Sequence, residues 1–100
     1  MNGTSASISY QNSRLMVSGD LSFLTVMKLW NESLPLLSQC TNLDFDLSNV
    51  ISSNSAGLAL LLEWIKYAKR VNKPVAFHYL PAQLNSIIAV AGLKQILSNS

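Results

Sequence analysis

The chain has 100 residues, of which 49% are apolar and 12% charged, with a formal net charge of +2 at neutral pH. That length suits one domain spanning residues 1–100, and the composition excludes a disordered chain, which would be poor in apolar residues and rich in net charge. The small positive charge gives no concentrated basic face for phosphates, so nucleic acid is not an expected partner.

Residues 1–5 and 98–100 read as polar ends that fray. No basic segment near Met1 leads into an apolar stretch, so no secretory signal is read there. Residues 6–10 and 14–18 are two short strands: Ala6, Ile8 and Tyr10 alternate with Ser7 and Ser9, and Leu15 and Val17 alternate with Arg14, Met16 and Ser18. Gln11, Asn12 and Ser13 carry turn chemistry, which makes the pair a hairpin, and Gly19 and Asp20 break the second strand.

A helix follows from Ser22 or Thr25 to Ser38. Val26, Leu29, Trp30, Ser33, Leu34 and Leu37 fall on one face, and Pro35 is expected to kink or loosen the last turn. Residues 42–47 form the cleanest strand, with Leu43, Phe45 and Leu47 alternating with Asn42, Asp44 and Asp46. A polar loop over 48–54 leads into a second helix over 55–71. Residues 74–80 are a strand rich in β-branched and aromatic side chains. Pro81 opens a third helix over 82–91, Gly92 ends it, and Leu93, Ile96 and Leu97 make a last packed turn.

The order is strand, strand, helix, strand, helix, strand, helix. Strands joined through helices lie parallel with right-handed crossovers, so the expected fold is α/β: a mixed sheet with an opening hairpin and helices mainly on one face. The longest apolar run, residues 56–62, is far below the ~20 residues that span a bilayer. A cytoplasmic protein is expected, reaching a membrane only through a membrane-bound partner. The single cysteine, Cys40, forbids an internal disulfide and fits a reducing compartment.

No catalytic, metal or cofactor site is legible, so neither an enzyme nor a cofactor is expected. His78 reads as a structural histidine, and with Cys40 it falls short of the four ligands of a structural zinc site. Asp44 and Asp46 share a strand face, which would allow acid–base work but reads rather as the solvent side of the strand, or with Asp46 ordering the loop over 48–54. Lys66, Lys69, Arg70 and Lys73 gather at the end of the second helix, where cations complement the helix dipole. So few charges also leave apolar surface exposed, as on a subunit that docks.

The second helix holds more. Stepping about 100° per residue places Leu58, Leu61, Leu62, Ile65 and Ala68 on a core face, with Ala59, Glu63, Lys66 and Arg70 on a polar side. Leu60, Tyr67 and Val71 belong to neither, and Trp64 lies at the edge of the core arc. These shoulder residues read either as a wide core margin or as docking surface, where aromatic side chains are favoured anchors. Asn54 or Ser55 is placed to cap the helix. Gly57 in the first turn costs about 1 kcal/mol of helix propensity, which makes sense where something must approach closely.

Residues 46–50, Asp-Leu-Ser-Asn-Val, and 54–61, Asn-Ser-Ala-Gly-Leu-Ala-Leu-Leu, resemble the signature of STAS domains, the modules of anti-sigma factor antagonists and of sulfate transporter tails. Gly19, Asp20 and Leu21 resemble the turn after that family's second strand. The resemblance implies a regulatory role for the hydroxyl residue at Ser55, which in the antagonists is phosphorylated by a partner kinase. This sequence departs from them in carrying Asn54 for aspartate and Ala56 for a second hydroxyl. With Leu29 and Trp30 in the first helix and residues 57–62 opening the second, the chain is similar to the small STAS subunit, the B component, of Mla-type ABC systems that move phospholipids between bacterial inner and outer membranes. That likeness implies a non-catalytic subunit that binds and supports the ATPase subunit. Asn54, Ser55, Ala56 and Gly57 are then the contact edge, with Leu60, Glu63, Trp64 and Tyr67 as flanking surface. The alternative is an anti-sigma factor antagonist switched by phosphorylation of Ser55.

Overall fold

The computed structural model describes residues 5–98. Two strands, β1 (Ala6–Gln11) and β2 (Arg14–Leu21), are followed by helix α1 (Val26–Gln39) and strand β3 (Leu43–Ser53). Helix α2 (Ser55–Val71), strand β4 (Val75–His78), helix α3 (Ala82–Val90) and the short helix α4 (Lys94–Ser98) complete the chain. The sheet has four strands in the order β1-β2-β3-β4, antiparallel at the hairpin and parallel thereafter. This is the expected α/β architecture. Two successive right-handed crossovers in one direction along the sheet put α1 and α2 on the same face.

Asn12 and Ser13, both at positive φ, close the hairpin. Two central residues at positive φ give the turn whose twist matches the strands it joins. Leu15, Val17, Leu43, Phe45 and Leu47 point to the helices and are essentially fully buried. Phe45 stacks on Trp64 of α2 with ring centroids 4.2 Å apart and on Phe77 of β4 at 5.2 Å, so one aromatic column joins helix to sheet.

The opposite face is polar. Ser7 and Ser18 share a hydrogen bond of 2.8 Å across β1 and β2, and His78 meets Asp44 at 3.2 Å across β4 and β3. Asp46 accepts from the Ser48 hydroxyl and backbone N–H, at 2.6 and 2.9 Å, and pairs with Arg14 at 3.4 Å. The Ser48 hydroxyl, with help from Ser48 N–H and Arg14, holds the Asp46 carboxyl below its usual pKa against the opposing effect of burial.

Four boundaries differ from the sequence reading. The strand expected over 74–80 is only Val75–His78, because Tyr79 turns to φ +60°, outside the extended region. β2 does not break at Gly19 and Asp20 but continues to Leu21, with register shifts against β3 between Met16 and Ser18 and between Gly19 and Asp20. Gly19 takes φ +96°, and a side chain there would overlap the Ser5 carbonyl, so the glycine makes an irregularity in the strand rather than its end. β3 in turn absorbs most of the expected loop over 48–54, because Asn49, Val50, Ser52 and Ser53 pair with this extended β2. α1 runs through Pro35 to Gln39 instead of loosening there. Its carbonyl end is held from outside by Lys73, whose ammonium donates to Leu37 O at 2.9 Å. That ammonium also lowers the Cys40 thiol pKa, but burial dominates and pushes it up.

The expected final turn is α4, with Leu97 buried and Leu93 half-buried. The Ile96 side chain and the polar ends at 1–4 and 99–100 lie outside the described residues. Among the described residues, no helix is long and apolar enough to cross a membrane.

Candidate partner-binding site

The parallel strands end along one edge of the sheet, and the helices begin there. Asn54 N–H donates to Leu21 O at 3.0 Å, which sets the start of α2 beside the turn that enters α1. Ser53 N–H donates to Gln83 Oε1 at 3.0 Å, which ties the first turn of α3 to the same edge. Loops and helix starts at the carboxyl ends of parallel strands are where α/β sheets place their binding sites.

Asn54 caps α2: its side-chain oxygen accepts from Ala56 N–H at 2.8 Å. Ser55 is therefore spared capping duty. It is exposed, and no hydrogen bond engages its hydroxyl among the described residues. Asn54 and Ser55 together form a small polar tip.

The other expected contact residues divide. Glu63 is exposed and Tyr67 half-buried. Ala56 and Gly57 are not on the edge; both are buried in the first turn, facing inward. A Cβ on Gly57 would overlap the Ser53 hydroxyl and lie 3.2 Å from Leu21 Cβ. The close approach that needs a glycine is thus internal, between α2 and the strand ends. Trp64 is corrected more sharply: it is 0% exposed. It stacks on Phe45, and its indole N–H donates to the buried Ser33 hydroxyl at 3.0 Å. Leu60 is also buried, but it floors a groove between α1 and α2. Both were misplaced for one reason. α2 has α1 on one flank and α3 on the other, so its buried arc is wider than one core face.

Sequence reasoning missed the apolar surroundings of the tip. Phe23, Leu24 and Met27 stand in water at the start of α1, and Val90 does so on α3. A shallow apolar hollow between Ser55 and Leu58 of α2, Ile87 and Val90 of α3 and Ala91 just past its end lies on the other side of the tip. The signal was present: residues 22–25, Ser-Phe-Leu-Thr, set two large apolar side chains between turn-forming hydroxyls.

No catalytic constellation forms. Among the described residues, no three histidine, cysteine or carboxylate side chains come together to hold a metal. Asp44 and Asp46 do share a face, but each is engaged in its own cross-strand pair, to His78 and Arg14. Of the basic residues near the end of α2, Arg70 sits over the Tyr67 ring and Lys73 caps α1, while Lys66 reaches Glu63 only at 3.5 Å in an exposed pair.

An exposed hydroxyl tip on a one-sided α/β sheet agrees with what comparison with known proteins finds. A family model described as "Mlab, STAS domain" matches residues 4–98. The chain belongs to the STAS domain family. This STAS domain is 29% identical over 89 residues to the "Intermembrane phospholipid transport system binding protein MlaB" of Haemophilus influenzae (strain Rd), covering 85% of each chain. Within this STAS domain the matched residues include the whole β2–β3–α2 unit that carries the tip.

Proposed function

We propose that this STAS domain is a non-enzymatic subunit of an ABC system moving phospholipids between bacterial inner and outer membranes, and that it binds the system's ATPase subunit through the Ser55 end. The observation that carries the reading is near full-length likeness to a relative named for intermembrane phospholipid transport. The geometry supports it: a capped helix start with a spare exposed hydroxyl, flanked by apolar side chains, suits docking better than chemistry. Binding there would favour the ATPase conformation that fits it best, and so support the transporter without any reaction in this subunit. The domain would then lie in the cytoplasm and meet the inner membrane only through its partner. The alternative of a phosphorylated anti-sigma antagonist has weaker support, since the tip carries Asn54 and Ala56 in place of the antagonists' residues.

The test is co-purification with the ABC ATPase from the same cells. Wild-type protein should bring down the ATPase, and Ser55→Arg should not, with both folded alike by circular dichroism. Equal recovery of the ATPase with the two proteins would defeat the role given to Ser55.

A further inference from the structure

Beside the tip, the turn entering α1 holds Phe23, Leu24 and Met27 in water at 72, 78 and 66% exposure. The turn is firmly built. The Thr25 hydroxyl, on a residue only 3% exposed, donates to Asp20 O at 2.6 Å and accepts from Ser22 N–H at 3.0 Å. Leu24 N–H donates to the Ser22 hydroxyl at 3.2 Å, and Val26 N–H to Ser22 O at 3.0 Å. A polar network thus fixes a turn whose apolar side chains point away from the core, where a lone domain gains nothing from them.

Met27 also walls the groove between α1 and α2. The groove measures about 330 Å³, and its lining of Val26, Met27, Trp30, Ala59 and Leu60 is apolar except for Glu63. The Glu63 side chain is 54% exposed, and its contact with Lys66 is a long, solvent-exposed one at 3.5 Å. Such a pair holds its carboxylate weakly and leaves it open to a better cation.

This carboxylate selects the occupant. A second copy docked groove to groove about a two-fold axis would bring two Glu63 side chains together, and like charges oppose that. The nearby cations do not relieve it: Lys28 is turned toward β1, on Ala6 O at 3.2 Å, and bridges Glu32 at 2.8 Å, and Lys66 lies outside the lining of the groove. An anionic lipid surface finds no cation in the groove lining, whose one charge is the Glu63 carboxylate.

We infer that Phe23, Leu24 and Met27, with this groove, are the principal docking surface for the ATPase subunit. The partner seats a large apolar side chain in the groove and sets a lysine or arginine against Glu63. This inference rests on the function proposed above and moves most of the binding energy from Ser55 to the α1 side.

The test is binding of the purified domain to its ATPase, measured with wild type, Phe23→Ser/Leu24→Ser, Glu63→Lys and Glu63→Gln. All the altered side chains are exposed, so melting temperatures should stay near that of the wild type. Phe23→Ser/Leu24→Ser and Glu63→Lys should each weaken binding by about tenfold or more. Glu63→Gln should flatten the salt dependence of binding. If wild type binds while both Phe23→Ser/Leu24→Ser and Glu63→Lys bind as tightly, the inference falls and the proposed function stands. Full binding by Glu63→Lys alone also overturns it, because the charge choice is lost. If wild type does not bind the ATPase, the proposed function falls and takes this with it. A wild-type dimer dispersed by Phe23→Ser/Leu24→Ser would assign the surface to a second copy instead.

Discussion

Replacing Ser33 with alanine isolates the hydrogen bond that locks α1 to α2. The Ser33 hydroxyl donates to Trp30 O at 2.7 Å and accepts from Trp64 Nε1 at 3.0 Å, and both Ser33 and Trp64 are 0% exposed. In Ser33→Ala the indole N–H stays buried with no acceptor. An unsatisfied buried donor costs about 1–3 kcal/mol. Losing the serine's back-bond to its own helix is offset in part by alanine's better helix propensity, a gain of at most about 0.7 kcal/mol. At roughly 4–8 °C per kcal/mol for a domain of this size, the melting temperature should fall by about 5–15 °C. The control is Trp64→Phe, which removes the donor and leaves the serine its bond to Trp30 O. In that background Ser33→Ala should cost no more than about 0.5 kcal/mol, so the pair should show a coupling of about 1–2 kcal/mol. Urea unfolding gives the energies, followed by circular dichroism because Trp64→Phe removes one of the two tryptophans. Equal destabilisation by Ser33→Ala in both backgrounds would refute the reasoning, since the indole would then not be what the serine satisfies.

The remaining predictions concern the helix tip, the open sheet face and the thiol. Asn54→Ala should cost about 1 kcal/mol through loss of the α2 cap, whereas Ser55→Ala should be within about 0.5 kcal/mol of wild type; thermal melts distinguish them, and the reverse order would reassign the cap. Asp46 is held below its usual pKa, chiefly by the Ser48 hydroxyl, so the folded state binds its proton less readily than the unfolded chain. Its stabilisation is present above about pH 4 and is lost as pH falls through the lower folded value; urea midpoints across that range should drop less steeply in Asp46→Asn. The Cys40 thiol is pushed up by burial, so folding should lose stability as pH rises above about 8.5, where the unfolded thiol ionises first. Iodoacetamide should accordingly label Cys40 slowly until denaturant is added, and rapid labelling of the folded protein would contradict its burial.

The α2 boundaries were legible because a capping residue, a wide apolar arc and a basic last turn agree over its whole length. The second half of β3 was not. Ser48, Asn49, Ser52 and Ser53 have the chemistry of a loop, and only pairing with the extended β2 makes them strand, a long-range fact that no local window contains. Gly19 was misread for a similar reason, since a glycine in a strand marks either an end or an irregularity and only the partner strand decides which. At the candidate site the sequence located the tip but not which residues face outward. A single helical wheel assumes one buried side, and α2 is covered on both flanks as well as beneath. Ser33 alone hinted at this, because a hydroxyl set among Leu29, Trp30 and Leu37 needs a polar partner from a neighbouring helix, and Trp64 is that partner.

The hairpin gives the molecule two unequal ends. Asp20 N–H donates to Ser5 O at 2.9 Å, so Ser5 stands at the end of the sheet that holds Leu21 and the start of α1. The bend at Asn12 and Ser13 lies at the far end of the sheet, where β2 begins. A bulky fusion placed ahead of Ser5 should crowd the docking region and give false negatives in pull-down work. A short epitope or dye site spliced between Asn12 and Ser13 should leave that region clear, which makes the hairpin bend the better handle for labelling the protein in its assembly.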